Sequence, residues 1–394
     1  MTSLRLPVRG GRVERYTVKN APLTAPGGGR TSPPAFNRVA YAAAHVVVDP
    51  LAQGDPQLDV AVDWDATLKF RHYLWDLGFG VAEAMDTAQR GMGLDWPDAL
   101  ELIRRTLAEA KRRPGAMVAC GVGTDHLKPG EARTLDEVIG AYESQIEAVE
   151  ALGGRIILMA SRALATLAQG PADYHRVYDR LLRQVREPVV IHWLGEMFDP
   201  ALAGYWGASD HLQAMETALA VIAANASKID GVKVSLLSKE KEILMRRRLP
   251  AGVRMYTGDD FNYAELIEGD ERGYSDALLG IFDAIAPAAS LALERLAAGD
   301  HAGFGDLLAP TVPLSRHIFM APTRYYKTGI VFLAYLNGLQ NHFHMIGGQQ
   351  SSRSLQHLAE LFRLADAARV LRDPDLAAER IGIVMAQGGI GGDG

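Results

Sequence analysis

Cysteine is nearly absent from this chain of 394 residues: Cys120 stands alone. One thiol can build neither a disulfide framework nor a multi-cysteine metal site. No apolar run approaches the roughly 20 residues that a helix needs to cross a bilayer. There is no excess of basic charge; the formal net charge is −6, so no positive field exists to gather nucleic acid. The opening stretch "MTSLRLPVRGGRVERYTVKN" lacks the apolar core of a secretory signal, and the expectation is a cytoplasmic protein. Paired-histidine metal motifs of the H-x-x-x-H or H-E-x-x-H kind are missing too. What remains is ordinary globular material, 48% hydrophobic and 22% charged, long enough for one large α/β domain.

Punctuation comes first. "RLPVRGGRVERYTV" predicts a hairpin turning at Gly10-Gly11, followed by the Gly/Pro-rich linker "APLTAPGGGRTSPPAF". The chain then alternates short apolar runs with amphipathic spacers. The runs are "RVAYAAAHVVV", "GFGVAEAM", "GAMVACGVG", "RIILMA", "PVVIHWLG", "DGVKVSLL", "VRMYTGDD" and "YSDALLGIF". Spacers such as "DWDATLKFRHYLWDLG", "TLDEVIGAYESQIEAVEALGG" and "DYHRVYDRLLRQVRE" carry apolar residues at helical spacing. Continuous apolar runs separated by helices predict parallel strands buried on both faces. Eight such units predict a (β/α)₈ TIM barrel over residues 38–288, with a doubly wound open sheet as the alternative. Residues 1–37 read as an N-terminal extension and 289–394 as a C-terminal helical extension. That extension includes a polar inter-helix stretch, "HMIGGQQSSRS", and ends in the Gly-rich tail "AQGGIGGDG", which reads as mobile.

A barrel of this kind builds its site from strand C-terminal ends and the loops that follow. Run two leads into Asp86, Thr87, Gln89 and Arg90. Run three leads into Thr124, Asp125 and His126, and run four into Ser161 and Arg162. Run five carries His192 and Glu196, run six Lys233, run seven Asp259 and Asp260, and run eight Ser275 and Asp276. Lys233 is the most telling. Flanked by Val232 and Val234, it places an ammonium where burial favours the neutral amine. A neutral amine can attack a carbonyl to form a Schiff base; the bland alternative is an ion pair with a barrel carboxylate such as Asp259 or Glu83.

The order of these landmarks resembles the dihydrodipicolinate synthase and N-acetylneuraminate lyase family of Schiff-base aldolases. "GVKVS" stands where that family's sixth strand reads G-[IV]-K-x-[ST], and "TGDDF" follows it in order. More narrowly, the chain resembles a bacterial subfamily of unassigned function labelled dihydrodipicolinate-synthase-like. The resemblance implies a class I lyase or aldolase, a carbon–carbon or carbon–oxygen lyase, acting on a small keto acid or sugar-derived carbonyl compound. It implies Lys233 as the imine-forming residue, no cofactor beyond that covalent imine, and a homo-oligomer, dimer or tetramer, with no nucleic-acid or membrane partner. Two departures stand out. "AMDTAQRG" replaces the family's G-T-T-G-E loop, and "MASRALA" lacks the tyrosines that relay protons. A substrate other than that of dihydrodipicolinate synthesis is therefore expected. His192 or Asp125 would move protons. Thr87, Gln89, Arg90, Arg162, Asp259 and Ser275 would hold substrate oxygen atoms, an arginine being suited to clamp a carboxylate. A second reading takes His192, Glu196 and His126 as ligands of a divalent metal in a sugar isomerase or lyase. A third is a non-catalytic small-molecule-binding protein.

Overall fold

In the computed structural model, which describes residues 2–23 and 33–390, each of the eight apolar runs contributes one parallel strand. The hairpin comes first: β1 (Ser3–Pro7) and β2 (Val13–Thr17) pair antiparallel, with Ser3 opposite Thr17. Gly10 and Gly11 take φ of +86° and +76° at its turn, a region open to glycine without a Cβ penalty. The barrel strands are β3 (Ala40–Ala43), β4 (Gly80–Glu83), β5 (Val118–Val122), β6 (Arg155–Leu158), β7 (Val189–Leu194), β8 (Ile229–Ser235), β9 (Arg254–Thr257) and β10 (Asp276–Leu279). They close in the order β10-β3-β4-β5-β6-β7-β8-β9, the TIM-barrel topology expected. The open-sheet alternative falls because β10 pairs with β3.

Two compact units divide the chain. One holds Arg38–Ala44 and Gly80–Gly280, and with them every barrel strand. Its interior is filled by Tyr41, Ala82, Ala119, Ile157, Val190, Tyr256 and Leu278. Small residues on β3 and β4 make room for the two rings: a Cβ at Gly80 would lie 2.5 Å from the Tyr41 ring. At the strand N-terminal ends the Tyr256 hydroxyl donates to Asp230 (2.6 Å), and Arg254 pairs with Asp276 (3.2 Å). The helix Leu135–Ala151 begins with a capping box between Thr134 and Glu137, the sequence signature of a helix start.

The other unit comprises the hairpin, residues 45–79 and the helices from Ile281 onward. Helix Trp64–Asp76 is capped by Asp63, which accepts from Ala66 N at 2.9 Å. Helices Ile281–Ala297, His301–Leu308, Thr311–Ile318, Tyr326–Leu336, Leu355–Ala367 and Pro374–Gln387 account for the helical patterns after the eighth run. Within this unit buried His45 lies between Asp283 (2.8 Å) and Gln340 (3.1 Å). The hairpin is tied down by Tyr16, whose hydroxyl donates to Asp366 (2.6 Å). Most of the Gly/Pro linker and the last four residues of the Gly-rich tail lie outside the described residues. No helix among the described residues is long and apolar enough to cross a membrane.

Candidate active site

Side chains alternate between the two faces of a strand, and the ladder pairs His192 of β7 with Lys233 of β8, and Lys233 with Tyr256 of β9. Tyr256 belongs to the interior cluster, so all three side chains point into the barrel. Lys233 is 7% exposed and His192 1%. Burial lowers the Lys233 pKa below the usual lysine range, and the negative charges of Asp260 and Asp86 offset this only in part. Burial first, and then the charge of Lys233, holds His192 well below its ordinary value. A neutral imidazole with Nε2 3.1 Å from Ser235 Oγ is the result. Gly258, just past β9, makes space for the lysine: a Cβ there would lie 2.8 Å from Lys233 Cε and 2.3 Å from Ser235 Oγ.

Glu83 and Asp259, the carboxylates of the ion-pair alternative for this lysine, are engaged elsewhere. Glu83 accepts from Thr106 Oγ1 (2.6 Å) and the Ala84 N–H. Asp259 caps the following turn, accepting from Phe261 N (2.8 Å), Asn262 N (3.0 Å) and Asn262 Nδ2 (2.9 Å).

A cavity of about 530 Å³ opens at the C-terminal ends of β4 to β7. Asp86, Thr124, Asp125, Arg162, His192 and Asp199 are in its wall, with Met159 and Leu202 among the apolar lining. Lys233 is not in that wall, whereas its ladder neighbour His192 and the nearby acid Asp86 are. Asp86 opens the short 3₁₀ turn Asp86–Ala88, in a loop where Ala84 and Gln89 both take left-handed backbone (φ 53° and 64°). Such strain persists only where the surroundings over-determine the backbone. Here Arg90 does so.

Arg90 is 3% exposed and all five of its N–H groups are used. Nε and Nη2 grip Asp125 in a bidentate pair (2.7 and 2.8 Å), Nη2 also reaches Gln145 Oε1 (2.7 Å), and Nη1 donates to the carbonyls of Gly121 (2.9 Å) and Ala84 (3.3 Å). Its guanidinium also lies 4.9 Å from the Trp96 ring centroid. Neither member of the pair fits the part expected of it. Arg90 has no donor left for a substrate carboxylate. Asp125 has a pKa that burial pushes up but that Arg90 and the hydrogen bond from Gln145 bring down further, so it stays ionised and is a weak base. Gln145 escaped sequence reasoning. It accepts from Arg90 and Gly123 N (2.8 Å) and donates to Asp125 (3.1 Å) and His126 Nδ1 (2.8 Å), so every polar valence of its amide is filled. The signal was present: Gln145 shares the helix face of Val138, Tyr142 and Val149, where an amide needs a buried partner.

Arg162 is the arginine with capacity to spare. Its Nε is held by Asp199 at 2.5 Å, while its side chain is half exposed at the cavity wall and its terminal amino groups carry no hydrogen bond among the described residues. Of the other expected substrate-binding residues, Arg90 lines the cavity with its donors already spent, whereas Thr87, Gln89, Asp259 and Ser275 lie outside the wall. Thr87 is buried, and Gln89 Nε2 donates to the Met92 carbonyl (3.4 Å). Ser275 donates to Glu242 (2.7 Å) on the far side of the strand layer. Nor are His192, Glu196 and His126 brought together. Glu196 pairs with His211 (3.0 Å), His126 with Gln145, and no group of three or more His, Cys, Asp or Glu among the described residues is placed to hold a metal.

Ser161, where the fourth strand's loop begins, has its Oγ 2.6 Å from Thr124 Oγ1 and donates its N–H to the Tyr205 hydroxyl (3.2 Å). Tyr205 and Tyr178 are 2.9 Å apart, and burial raises the pKa of both. Both tyrosines are buried, stay neutral and lie outside the cavity wall.

Residues 4–390 match the family described as "Protein of unknown function (DUF993)". The chain belongs to the DUF993 family. No curated protein matches it. Solved structures do, at the level of the fold. The dihydrodipicolinate synthase of Aquifex aeolicus covers 85% of this chain with 99% of its own, at 11% identity and a TM-score of 0.63. That of Oceanobacillus iheyensis covers 84% with 95% of its own, at 14% identity and 0.60. YagE, a prophage protein of the dihydrodipicolinic acid synthase family from E. coli K12 solved in complex with pyruvate, covers 90% with 100% of its own, at 13% identity and 0.61. This DUF993 chain therefore has the barrel fold of that group, and the resemblance read from "GVKVS" and "TGDDF" holds at that level.

Proposed function

We propose that the DUF993 chain is a class I lyase or aldolase that forms an imine between Lys233 Nζ and the carbonyl carbon of a small keto acid or sugar-derived substrate. One observation carries this reading: a lysine inside the barrel on its sixth strand, its pKa lowered by burial, with the missing Cβ of Gly258 giving its side chain room. The neutral amine adds to the carbonyl carbon, and the carbinolamine then loses water to give an iminium. Cleavage of the bond at the neighbouring carbon releases one fragment and passes its electron pair to the iminium as an enamine; a proton added at that carbon regenerates the iminium, and water hydrolyses it to free the second fragment and the amine. Asp86 moves the protons. Its carboxylate lines the cavity and accepts no hydrogen bond among the described residues, whereas Asp125 is spent on Arg90. His192 serves as a neutral donor beside the lysine rather than as a base, since its pKa is so far depressed. Arg162 takes the substrate's carboxylate. The cavity is several times the size of a three-carbon keto acid, which favours a longer, hydroxylated substrate.

Borohydride reduction in the presence of candidate keto acids should add the mass of the reduced substrate at Lys233, and Lys233→Ala should abolish it. A compound that is turned over yet leaves no adduct would overturn the proposal. The expectation of a dimer or tetramer rests on the resemblance, and sedimentation equilibrium measures it.

A further inference from the structure

The stretch "HMIGGQQSSRS" plays no part in the barrel site, yet its last three residues, Ser352 to Ser354, line a second cavity of about 760 Å³. The hairpin contributes Pro7, Val8 and Arg9 to this cavity. The remainder comes from Met320, just past the helix Thr311–Ile318, and from helices of the same unit, including the start of the 13-residue helix Leu355–Ala367.

Its charge is lopsided. Arg9, Arg353 and Arg363 face a single acid, Glu360, which is itself paired with Arg363 at 3.3 Å. Arg9 is exposed and has no hydrogen-bond or ion-pair partner among the described residues. Arg353 is fixed rigidly, Nη2 donating to the carbonyls of Met320 (2.7 Å) and Pro322 (3.1 Å) and Nη1 to that of Ala321 (3.4 Å), while its buried Nε has no partner among the described residues. His357 is only 9% exposed, lines the cavity, and its Nε2 is also buried without a partner. His317 stacks on it at 4.0 Å and donates to its carbonyl (2.9 Å), which holds the imidazole in place. Ser354 Oγ accepts from His357 N (3.2 Å), and the other N–H groups of the helix's first turn have no side-chain cap among the described residues.

Buried polar atoms without partners are rare in folded proteins and costly. A helix N-terminus and guanidinium groups favour negative charge. We propose that this cavity binds a small metabolite through a dianionic group, phosphoryl or paired carboxylate, lodged among Arg9, Arg353, His357 and the helix start. Pro7, Val8 and Met320 give the carbon skeleton an apolar wall. A volume of this size suits a small metabolite rather than a bare ion.

The test uses the full chain and follows the His317 and His357 imidazole resonances by NMR, with His357→Asn giving the assignment. Inorganic phosphate, glucose 6-phosphate and citrate are titrated, with glucose as control. Saturable shifts from glucose 6-phosphate or from citrate, and none from glucose, are expected; which of the two binds names the anionic group. Arg9→Ala, which removes no hydrogen bond or ion pair among the described residues, should weaken binding about tenfold while leaving the melting temperature unchanged. Arg162→Ala, in the barrel cavity, should leave affinity unaltered. The proposal is overturned if none of the three anions gives a saturable shift up to about 20 mM. It is equally overturned if affinity survives both Arg9→Ala and His357→Asn, or is lost with Arg162→Ala.

Discussion

Replacing Glu242 by glutamine should flatten the pH dependence of the barrel's stability between pH 5 and 8. Glu242 lies on helix Lys239–Arg246, 1% exposed, and receives hydrogen bonds from Ser275 Oγ (2.7 Å) and Thr257 Oγ1 (3.0 Å). Burial pushes its pKa from the usual 4.5 up to about 8, the hydrogen bonds from Ser275 and Thr257 and the charge of Arg246 opposing this and that of Asp259 adding to it. A carboxyl with a raised pKa binds its proton more tightly in the folded chain than in the unfolded one. Its contribution is therefore complete below the unfolded value and is lost as pH climbs towards the folded value. A tenfold gain in proton affinity is worth about 1.4 kcal/mol, so wild type should lose about 3 to 4 kcal/mol between pH 5 and pH 8 through this one group. Glutamine mimics the protonated acid and has nothing to ionise, so that loss disappears. Groups common to both proteins cancel when their thermal unfolding midpoints are subtracted at each pH. The difference should be small near pH 5 and grow to about 4 to 5 °C in favour of Glu242→Gln by pH 8, for a chain of 394 residues. Two parallel curves would refute the reasoning, because they would mean that Glu242 ionises normally in the folded barrel.

Three further outcomes concern the barrel site and its supports. Asp86→Asn should lower kcat by about 10²- to 10⁴-fold in steady-state assays while borohydride still traps the lysine adduct, since the amide keeps the shape but cannot carry the proton. Gly258→Ala should cost about 1 to 3 kcal/mol in denaturant titrations and slow imine formation, because the added Cβ meets Lys233 Cε and the Val234 carbonyl, each at 2.8 Å. Arg90→Lys should destabilise the barrel by about 3 to 5 kcal/mol, a single ammonium being unable to replace a buried bidentate grip; unchanged stability would mean that the Arg90–Asp125 pair does not hold the loop.

Much of the architecture was legible because a parallel barrel writes itself in the chain as apolar runs and capped helices. Even "RVAYAAAHVVV" contains β3, although only Ala40–Ala43 pair and His45 begins a stretch of the other unit. Partnerships at the site were harder to see. Arg90 and Asp125 both stood out as loop residues after strand ends, but nothing in their spacing says that each consumes the other. Glu242 was the least visible. In "SKEKEILMR" it reads as one of several solvated charges, and only its phase with Met245, also buried, marks it as facing inward.

The loop after β4 gives the clearest link between sequence change and chemistry. The stretch "AMDTAQRG" does two things at once. It supplies Arg90, which bonds the carbonyl of left-handed Ala84 and ties β4's loop to β5, and it sets Asp86 in the cavity wall. A lysine kept inside a barrel purely for structure calls for a carboxylate committed to it. Yet Glu83 bonds Thr106, and Asp259 caps its own turn. The acids whose charge does reach Lys233 are Asp260 and Asp86, and neither outweighs the effect of burial. Burying an under-compensated lysine is costly, and the proposed imine reaction, which needs its amine neutral, supplies a use for it.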